Sequence, residues 1–161
     1  MMYAVTGHTQ GIGKAVYEKL DPHVIGFSKS TGYNITIKED RKKIIEQCKY
    51  IDVFINNAHD QYGQIDLLIE LFDKWKDQNK TIINVGSRIA DIVLPRTHTN
   101  LLQYSAQKKA LKAIHDDMQG YNCRVIYKTF GYVKTEKMLA KYTDHSEFLE
   151  INQAVDIILD D

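Results

Sequence analysis

The sequence is poor in the residues that build disulfide frameworks, and it lacks the long apolar runs that cross membranes. Its 161 residues include two cysteines, Cys48 and Cys123. Two isolated cysteines predict no disulfide framework, and a reducing, cytoplasmic environment suits them best. No apolar run approaches the roughly 20 residues that span a bilayer. We therefore expect no membrane partner.

An excess of charge and a metal-binding pattern are also missing. The chain carries 21 basic and 21 acidic residues, so a basic surface for nucleic acid is not predicted. The six histidines do not have the spacing of metal ligands, and we predict no metal site. Residues 1–7 lack the basic region and long apolar segment of a secretory signal.

Short apolar runs alternate with amphipathic segments along the chain. Strands are predicted over residues 2–5, 24–27, 33–36, 51–55, 81–85 and 123–128. Helices are predicted over residues 14–20, 39–49, 65–75, 101–118 and 148–159. This alternation predicts an α/β fold, a doubly wound parallel sheet of about six strands. Because no linker or repeat interrupts it, we expect residues 1–161 to form a single domain.

A glycine-rich turn follows the first predicted strand. It reads Thr6-Gly7-His8-Thr9-Gln10-Gly11-Ile12-Gly13. Glycines let the backbone approach a pyrophosphate, and the helix N-terminus that follows offers free N–H groups. The turn is therefore a candidate phosphate cradle. The alternative is a glycine-rich turn that binds nothing.

The residues after the second predicted strand bear on the choice of nucleotide. In dinucleotide-binding folds an acid at this place holds the 2′-hydroxyl of NAD. This chain has Ser28-Lys29 instead. Lys29 could pair with a 2′-phosphate, which favours NADP over NAD. The alternative is that Lys29 is a solvated loop lysine.

Tyr104 and Lys108 stand four residues apart in a predicted helix, a spacing that puts both on one face. A lysine charge beside a phenol favours the phenolate, and such a pair can exchange a proton with an alcohol or a carbonyl. The apolar positions of the helix, including Leu102 and Ala106, are predicted to form a different face. Ser87 follows a strand at its carboxyl end, where open α/β sheets bind ligands.

Five motifs, taken in order, resemble the short-chain dehydrogenase/reductase family. They are Thr6-Gly7-x-x-x-Gly11-Ile12-Gly13, Asn56-Asn57-Ala58, Asn84-Val85-Gly86-Ser87, Tyr104-x-x-x-Lys108 and Gly131-x-Val133-x-Thr135. The resemblance extends from Tyr3 to about Leu159. It implies a Rossmann-like sheet, a single dinucleotide-binding domain, and hydride transfer between a nicotinamide and a small-molecule carbonyl or alcohol.

The resemblance also implies a role for each matching residue. Tyr104 would be the general acid/base, Lys108 would assist it and bind the nicotinamide ribose, and Ser87 would hydrogen-bond the substrate oxygen. Asn34 and Ile35 would flank the adenine, while Val133 and Thr135 would hold the carboxamide. The full cofactor-binding set is Gly7, Thr9, Gln10, Gly11, Ile12, Gly13, Ser28, Lys29, Asn34, Ile35, Asn57, Ala58, Lys108, Val133 and Thr135.

The chain is shorter than ordinary members of that family. The resemblance therefore implies a fold truncated at the C-terminus, without the last strand, and with no room for a helix between the second and third strands. The segment that usually supplies a catalytic asparagine is also cut. His59, Asp60, Gln61 or Gln64 could substitute for it, since each can hydrogen-bond water.

Three functions follow from these observations. An NADP-dependent oxidoreductase is favoured because Ser87, Tyr104 and Lys108 are all present. The alternative is a catalytically inactive NADP-binding or interaction protein of the same fold, motivated by the missing asparagine and the short substrate loop. A sugar-nucleotide epimerase is weaker, because it needs a different glycine spacing and a C-terminal sugar domain. The family's subunit pairing, through the helices at 65–75 and 101–118, implies a homodimer or homotetramer.

Overall fold

The fold is a parallel sheet covered by helices on both faces. The computed structural model describes residues 1–160. The strands are β1 (Tyr3–Thr6), β2 (Val24–Phe27), β3 (Val53–Asn56), β4 (Thr81–Val85) and β5 (Arg124–Lys128). The helices are α1 (Gly11–Leu20), α2 (Lys38–Gln47), α3 (Gly63–Trp75), α4 (Leu102–Asp117), α5 (Glu136–Lys141) and α6 (Ile151–Leu159).

The order of the strands positions the site. It is β2-β1-β3-β4-β5, and every pair is parallel. Val5 of β1 lies opposite Gly26 of β2 on one side and Ile55 of β3 on the other. Because the chain winds away from β1 in opposite directions, a crevice opens beyond the carboxyl ends of β1 and β3. Open α/β sheets bind their ligands in such a crevice.

Both faces of the sheet are buried. One core cluster joins strand side chains to α2, α3 and α4, and its Phe54, Leu71 and Leu111 are completely buried. The other joins strand side chains to α1 and α6, and includes the completely buried Val16 and Ile158. The sheet is therefore a rigid platform from which the loops at its carboxyl edge project.

None of the helices within residues 1–160 is both long and apolar enough to cross a membrane.

The predicted α/β fold with a parallel sheet is confirmed, but residues 1–160 contain five strands and not about six. The strand predicted at residues 33–36 was wrong. Asn34 turns the chain there, because its Oδ1 accepts hydrogen bonds from the backbone N–H (3.0 Å) and the hydroxyl (2.8 Å) of Thr36. Its own N–H donates to Asp40 Oδ2 at 3.0 Å. These local bonds compete with strand pairing.

Helix α4 buries a different face from the one predicted. Leu102 is 56% exposed and Ala106 is also exposed, whereas Ser105, Lys108 and Leu111 are buried. The prediction of an apolar face separate from the Tyr104–Lys108 pair was therefore wrong. Lys108 itself lies on the face that packs against the sheet.

Candidate active site

A groove of about 780 Å³ lies at the carboxyl ends of β1, β2 and β3. Its size falls within the range of about 300–1,000 Å³ typical of ligand sites. Most of the predicted cofactor-binding residues line it: Gly7, Thr9, Gln10, Ile12, Gly13, Ser28, Lys29, Asn34, Ile35, Asn57, Ala58 and Thr135. Gly11, Val133 and Lys108 do not form part of this lining, and their positions are described below.

The glycine-rich turn is shaped by close backbone approaches. Gly7 has a φ of +75°, a conformation that favours glycine. A Cβ at Gly13 would lie 2.0 Å from the carbonyl oxygen of Gly7, so no other side chain fits there without movement. Helix α1 begins at Gly11 with no capping side chain and no acid in its first turn. Its first N–H groups therefore keep the partial positive charge that attracts an anion.

Asn57 and Ala58 hold the glycine-rich turn against β3. The backbone N–H groups of Asn57 and Ala58 donate to the hydroxyl of Thr6 at 3.0 and 2.9 Å. The side-chain amide of Asn57 donates to the carbonyl of Thr6 at 3.0 Å. Thr6 is completely buried. These bonds fix the floor of the groove, and Asn57 serves that purpose as well as lining it.

Two side-chain contacts cross the groove mouth. Lys29, after β2, places its Nζ 3.4 Å from Oδ2 of Asp60, after β3. The Lys29 side chain is 72% exposed, so the pair is weak. Ser30 donates a hydrogen bond to the hydroxyl of Thr9 at 3.2 Å. Ser28 is buried, and its hydroxyl lies 3.0 Å from Nδ1 of His8.

Lys108 lies beneath this region, and it is 4% exposed. Its ammonium donates to Oε1 of Gln64 at 2.9 Å and to the carbonyl of Val85 at 3.3 Å. Burial lowers the pKa of Lys108 from 10.5 to about 8, because the charged form is poorly solvated there. At neutral pH the site therefore contains a fixed, mostly charged ammonium with few water neighbours.

Tyr104 faces this ammonium from one helical turn earlier. The centroid of its ring lies 5.8 Å from Nζ of Lys108. The ring of His59 meets the Tyr104 ring edge-on, with 4.9 Å between centroids. His59 lines the groove and is exposed to solvent. Desolvation by the surrounding protein, assisted by the charge of Lys108, lowers the pKa of His59 to about 4. The imidazole is therefore neutral at physiological pH.

Ser87 lies at the carboxyl end of β4, where it caps the turn Arg88–Asp91. Its Oγ accepts a hydrogen bond from the N–H of Ile89 at 3.3 Å, and its own N–H donates to the hydroxyl of Tyr127 at 3.4 Å. Burial is the main cause that raises the pKa of Tyr127, and the hydrogen bond from the N–H of Ser87 opposes it.

The loop after β5 covers the groove from the opposite side. Val133 is buried and forms a β-bridge with Leu149. The hydroxyl of Thr135 accepts a hydrogen bond from the N–H of Met138 at 3.3 Å and so caps α5. A Cβ on Gly11 would lie 3.6 Å from Cγ2 of Thr135. The loop therefore approaches the glycine-rich turn and narrows the groove.

The sequence motifs assign no role to two residues of this site, Tyr127 and His8. Tyr127 packs over Gly86, where a Cβ would lie 2.1 Å from its ring, and it contacts the backbone of Ser87. His8 contacts Ser28 and covers Gly26 in the same way. In both cases an aromatic ring lies over a glycine of a neighbouring segment. Sequence spacing carries no signal for such a pairing.

Comparison with known proteins reveals likeness at the level of structure. No protein-family model matches the sequence, and no curated protein matches it. A short-chain dehydrogenase from Burkholderia cenocepacia, solved in complex with NADP, is 21% identical with a TM-score of 0.78, and the match covers 98% of this chain and 82% of that one. A short-chain dehydrogenase/reductase from Burkholderia phymatum, in complex with NAD, is 14% identical with a TM-score of 0.67, covering 87% and 69%. One from Caenorhabditis elegans, with cofactor, is 18% identical with a TM-score of 0.72, covering 98% and 86%. The chain therefore has the fold of the short-chain dehydrogenase/reductases that its motifs resemble.

Proposed function

We propose that this chain, which has the fold of the short-chain dehydrogenase/reductases, is an NADP-dependent oxidoreductase of that family. The observation that carries the proposal is a buried, charged Lys108 beside Tyr104, next to a groove of about 780 Å³. Burying an ammonium costs free energy even when hydrogen bonds offset part of that cost. Perturbed lysines beside a groove are characteristic of catalytic sites.

The groove fits a nicotinamide dinucleotide by the chemistry of its lining. The uncapped start of α1 and the glycine-rich turn offer backbone donors to a pyrophosphate. Thr135 approaches that turn from the other wall, as expected of a residue that holds the nicotinamide end. When bound, the nicotinamide supplies or accepts the hydride.

The protein's own residues then manage the proton. Tyr104 donates its phenolic proton to the substrate oxygen when a carbonyl is reduced, and it accepts a proton when an alcohol is oxidised. The Lys108 ammonium stabilises the negative charge left on the phenol in the first direction. Ser87 orients the substrate oxygen with its hydroxyl. Water is scarce around Lys108, so its electrostatic effect is strong.

We also propose that NADP is preferred over NAD. Lys29 stands beside the groove after β2, where the adenosine ribose lies in this fold. A 2′-phosphate carries more negative charge than the single carboxylate of Asp60, and it would draw the Lys29 ammonium away from that partner. In NADH nothing would compensate for the loss of the Lys29–Asp60 pair.

The position of Tyr104 supports the catalytic proposal over the non-catalytic alternative. A protein that only bound the nucleotide could use Lys108 to hold the ribose, but it would have no need of a phenol beside that ammonium. The main argument for the alternative was the missing catalytic asparagine. That argument is weakened because the Lys108 ammonium has another side-chain amide as its partner, that of Gln64.

We further propose that the chain forms a homodimer or homotetramer through α3 and α4. The two helices pack together, and each presents a large apolar side chain to solvent. Leu102 is 56% exposed, and Ile69 is 43% exposed. A second copy would cover both. Light scattering on wild type and on Leu102→Glu should show the variant shifted toward monomer. A monomeric wild-type protein would overturn this proposal.

The function is tested by binding and turnover on the same preparation. Calorimetric titration should give tighter binding for NADPH than for NADH. Loss of reduced-nicotinamide absorbance with a panel of small aldehydes and ketones should reveal at least one substrate. Failure to bind either dinucleotide would contradict the proposal. Tight binding without hydride transfer to any carbonyl would support the non-catalytic alternative instead.

A further inference from the structure

Gln64 is a polar residue on the apolar face of α3. It stands at helical spacing with Leu67, Leu68 and Leu71, all of which are buried in the core. Gln64 itself is 1% exposed. A glutamine in this environment needs partners for every polar group, because a buried amide without hydrogen bonds is costly.

The hydrogen bonds of Gln64 fix the direction of its carboxamide. The Nε2 group donates to the carbonyls of Asn56 at 2.7 Å and Val85 at 3.0 Å. Both of its N–H donors are therefore used, and Oε1 is left to accept from Lys108 at 2.9 Å. The side-chain amide of Asn56 in turn donates to the backbone carbonyl of Gln64 at 3.0 Å. The acceptor that meets the ammonium thus cannot rotate away without breaking two bonds.

The same bonds determine what the ammonium can still do. A lysine ammonium has three N–H donors. Two of them go to Gln64 and to the carbonyl of Val85, so one is left for a ligand. The titratable groups that face this ammonium are His59, from the loop after β3, and Tyr104, from its own helix. Neither of them is a carboxylate that would hold the charge in place of Gln64.

We propose that Gln64 is a positioning residue, which orients the Lys108 ammonium and keeps it charged for the reaction. This inference rests on the function proposed above. The segment that carries the family's catalytic asparagine is missing here, and in this chain the side chain that contacts the lysine directly is Gln64. Gln64 acts through Lys108 and touches neither substrate nor cofactor in this account.

Two substitutions that should shift the pKa of Lys108 in opposite directions test the proposal. Gln64→Met keeps the length of the side chain but removes the acceptor, so the ammonium is less stabilised and the pKa of Lys108 should fall. Gln64→Glu places a carboxylate at the same point, so that pKa should rise. We expect displacements of about one pH unit in each direction. The control is Asn84→Ala, which removes the hydrogen bond from Asn56 to Asn84 without touching Lys108.

The first readout is independent of activity. Heteronuclear NMR of protein labelled at the lysine ε-carbons follows each titration, and the Lys108 signal is assigned by its loss in Lys108→Met. Opposite displacements in the two Gln64 variants, with none in Asn84→Ala, support the proposal. A Lys108 titration that stays in place in both overturns it, as does an equal displacement in Asn84→Ala. If Gln64→Met does not fold, the Gln64→Glu arm decides on its own.

The second readout is the pH dependence of kcat. The alkaline limb should move to lower pH in Gln64→Met and to higher pH in Gln64→Glu. A merely structural glutamine would lower kcat in both variants without moving the limb in opposite directions, and this result would overturn the proposal. If the NMR titrations move as expected but the wild-type protein reduces no carbonyl, the contact stands and the proposed function is overturned.

Discussion

Replacing Lys108 with methionine should make the protein's stability respond to pH in a specific window. The pKa of Lys108 is lowered by burial to about 8, against an ordinary value of 10.5. The unfolded chain therefore binds this proton more tightly than the folded one. The cost of burying the ammonium is fully present below pH 8. It fades as the pH rises toward 10.5, above which the lysine is neutral in both states.

The size of the effect follows from the width of that window. Each pH unit corresponds to about 1.4 kcal/mol, so the cost is roughly 3 kcal/mol. Lys108→Met also leaves Gln64 and Val85 without their donor, a loss of about 1–3 kcal/mol. At neutral pH the substitution therefore removes the cost of burying the charge but also loses hydrogen bonds, and the two effects oppose each other. The change of stability with pH isolates the burial cost, because the hydrogen-bond loss is present at every pH and cancels when two pH values are compared.

Urea unfolding at intervals from pH 7 to about 11 measures this difference. The free energy of unfolding of wild type, taken relative to Lys108→Met, should rise by roughly 3 kcal/mol across the window. Lys109→Met, at the exposed neighbour on the same helix, is the control and should show no such rise. A wild-type-minus-Lys108→Met difference that stays flat would refute the burial of a charged Lys108, and with it the electrostatic basis of the site.

Three further predictions test other parts of the account. Gly13→Ala should reduce NADPH affinity at least tenfold and cost about 1–3 kcal/mol of stability, because its Cβ would lie 2.0 Å from the Gly7 oxygen. Gly120 has a φ of +87° and open space around it, so the control Gly120→Ala should cost about 1–2 kcal/mol of stability and leave NADPH affinity unchanged. Equal NADPH affinities in Gly13→Ala and Gly120→Ala would contradict the role of the glycine-rich turn as a phosphate cradle. Arg41→Met should lower the free energy of unfolding in urea by about 2 kcal/mol, since Arg41 binds Glu70 and the Ile35 carbonyl from a buried position. An unchanged free energy of unfolding would contradict this stabilising role of Arg41. Lys29→Ala should weaken NADPH binding about tenfold, as loss of a charge-assisted bond does, and leave NADH binding unaltered. Asp60→Asn should strengthen NADPH binding. Calorimetry that shows equal changes for both nucleotides would contradict the assignment of Lys29 to the 2′-phosphate.

The sheet could be predicted from the sequence because its strands are short runs of buried apolar residues. The runs at β1, β3 and β4 bury nearly every side chain, which leaves a strong signal. The run at residues 33–36 carries similar residues, but Asn34 and Asp40 supply local hydrogen bonds that fold it into a turn. Polar side chains that bond their own backbone are therefore the physical reason for the false strand.

The short helix α5 and the start of α6 show a second feature that apolar spacing in the sequence did not predict. Helix α5 was missed, although Thr135 caps it and Glu136 follows in its first turn. Helix α6 begins at Ile151, three residues after the predicted start, because Glu150 and Gln153 form a capping box. Capping signals of this kind are present in the sequence. Apolar spacing alone does not reveal them.

The elements that carry the candidate site residues could be predicted, but not the bonds among those residues. The sequence predicted Ser87 after a strand and Tyr104 and Lys108 on one helix, and the structure has Ser87 after β4 and the pair on α4. Gln64 was one of four possible substitutes for the missing asparagine, and its place on an apolar helix face was the signal that could have selected it. The partnership of Lys29 with Asp60 joins residues 31 positions apart, a contact that no local pattern encodes.

The central claim is that the phenol of Tyr104, next to the Lys108 ammonium, transfers the proton of a nicotinamide-dependent reduction. Single-turnover oxidation of NADPH, with the best aldehyde or ketone from the panel, tests it most directly in wild type, Tyr104→Phe and the exposed control Tyr121→Phe. The account predicts that Tyr104→Phe lowers the rate by about 10²- to 10⁴-fold, with an unchanged Kd for NADPH and a normal rate in Tyr121→Phe. Equal rates in wild type and Tyr104→Phe would contradict it.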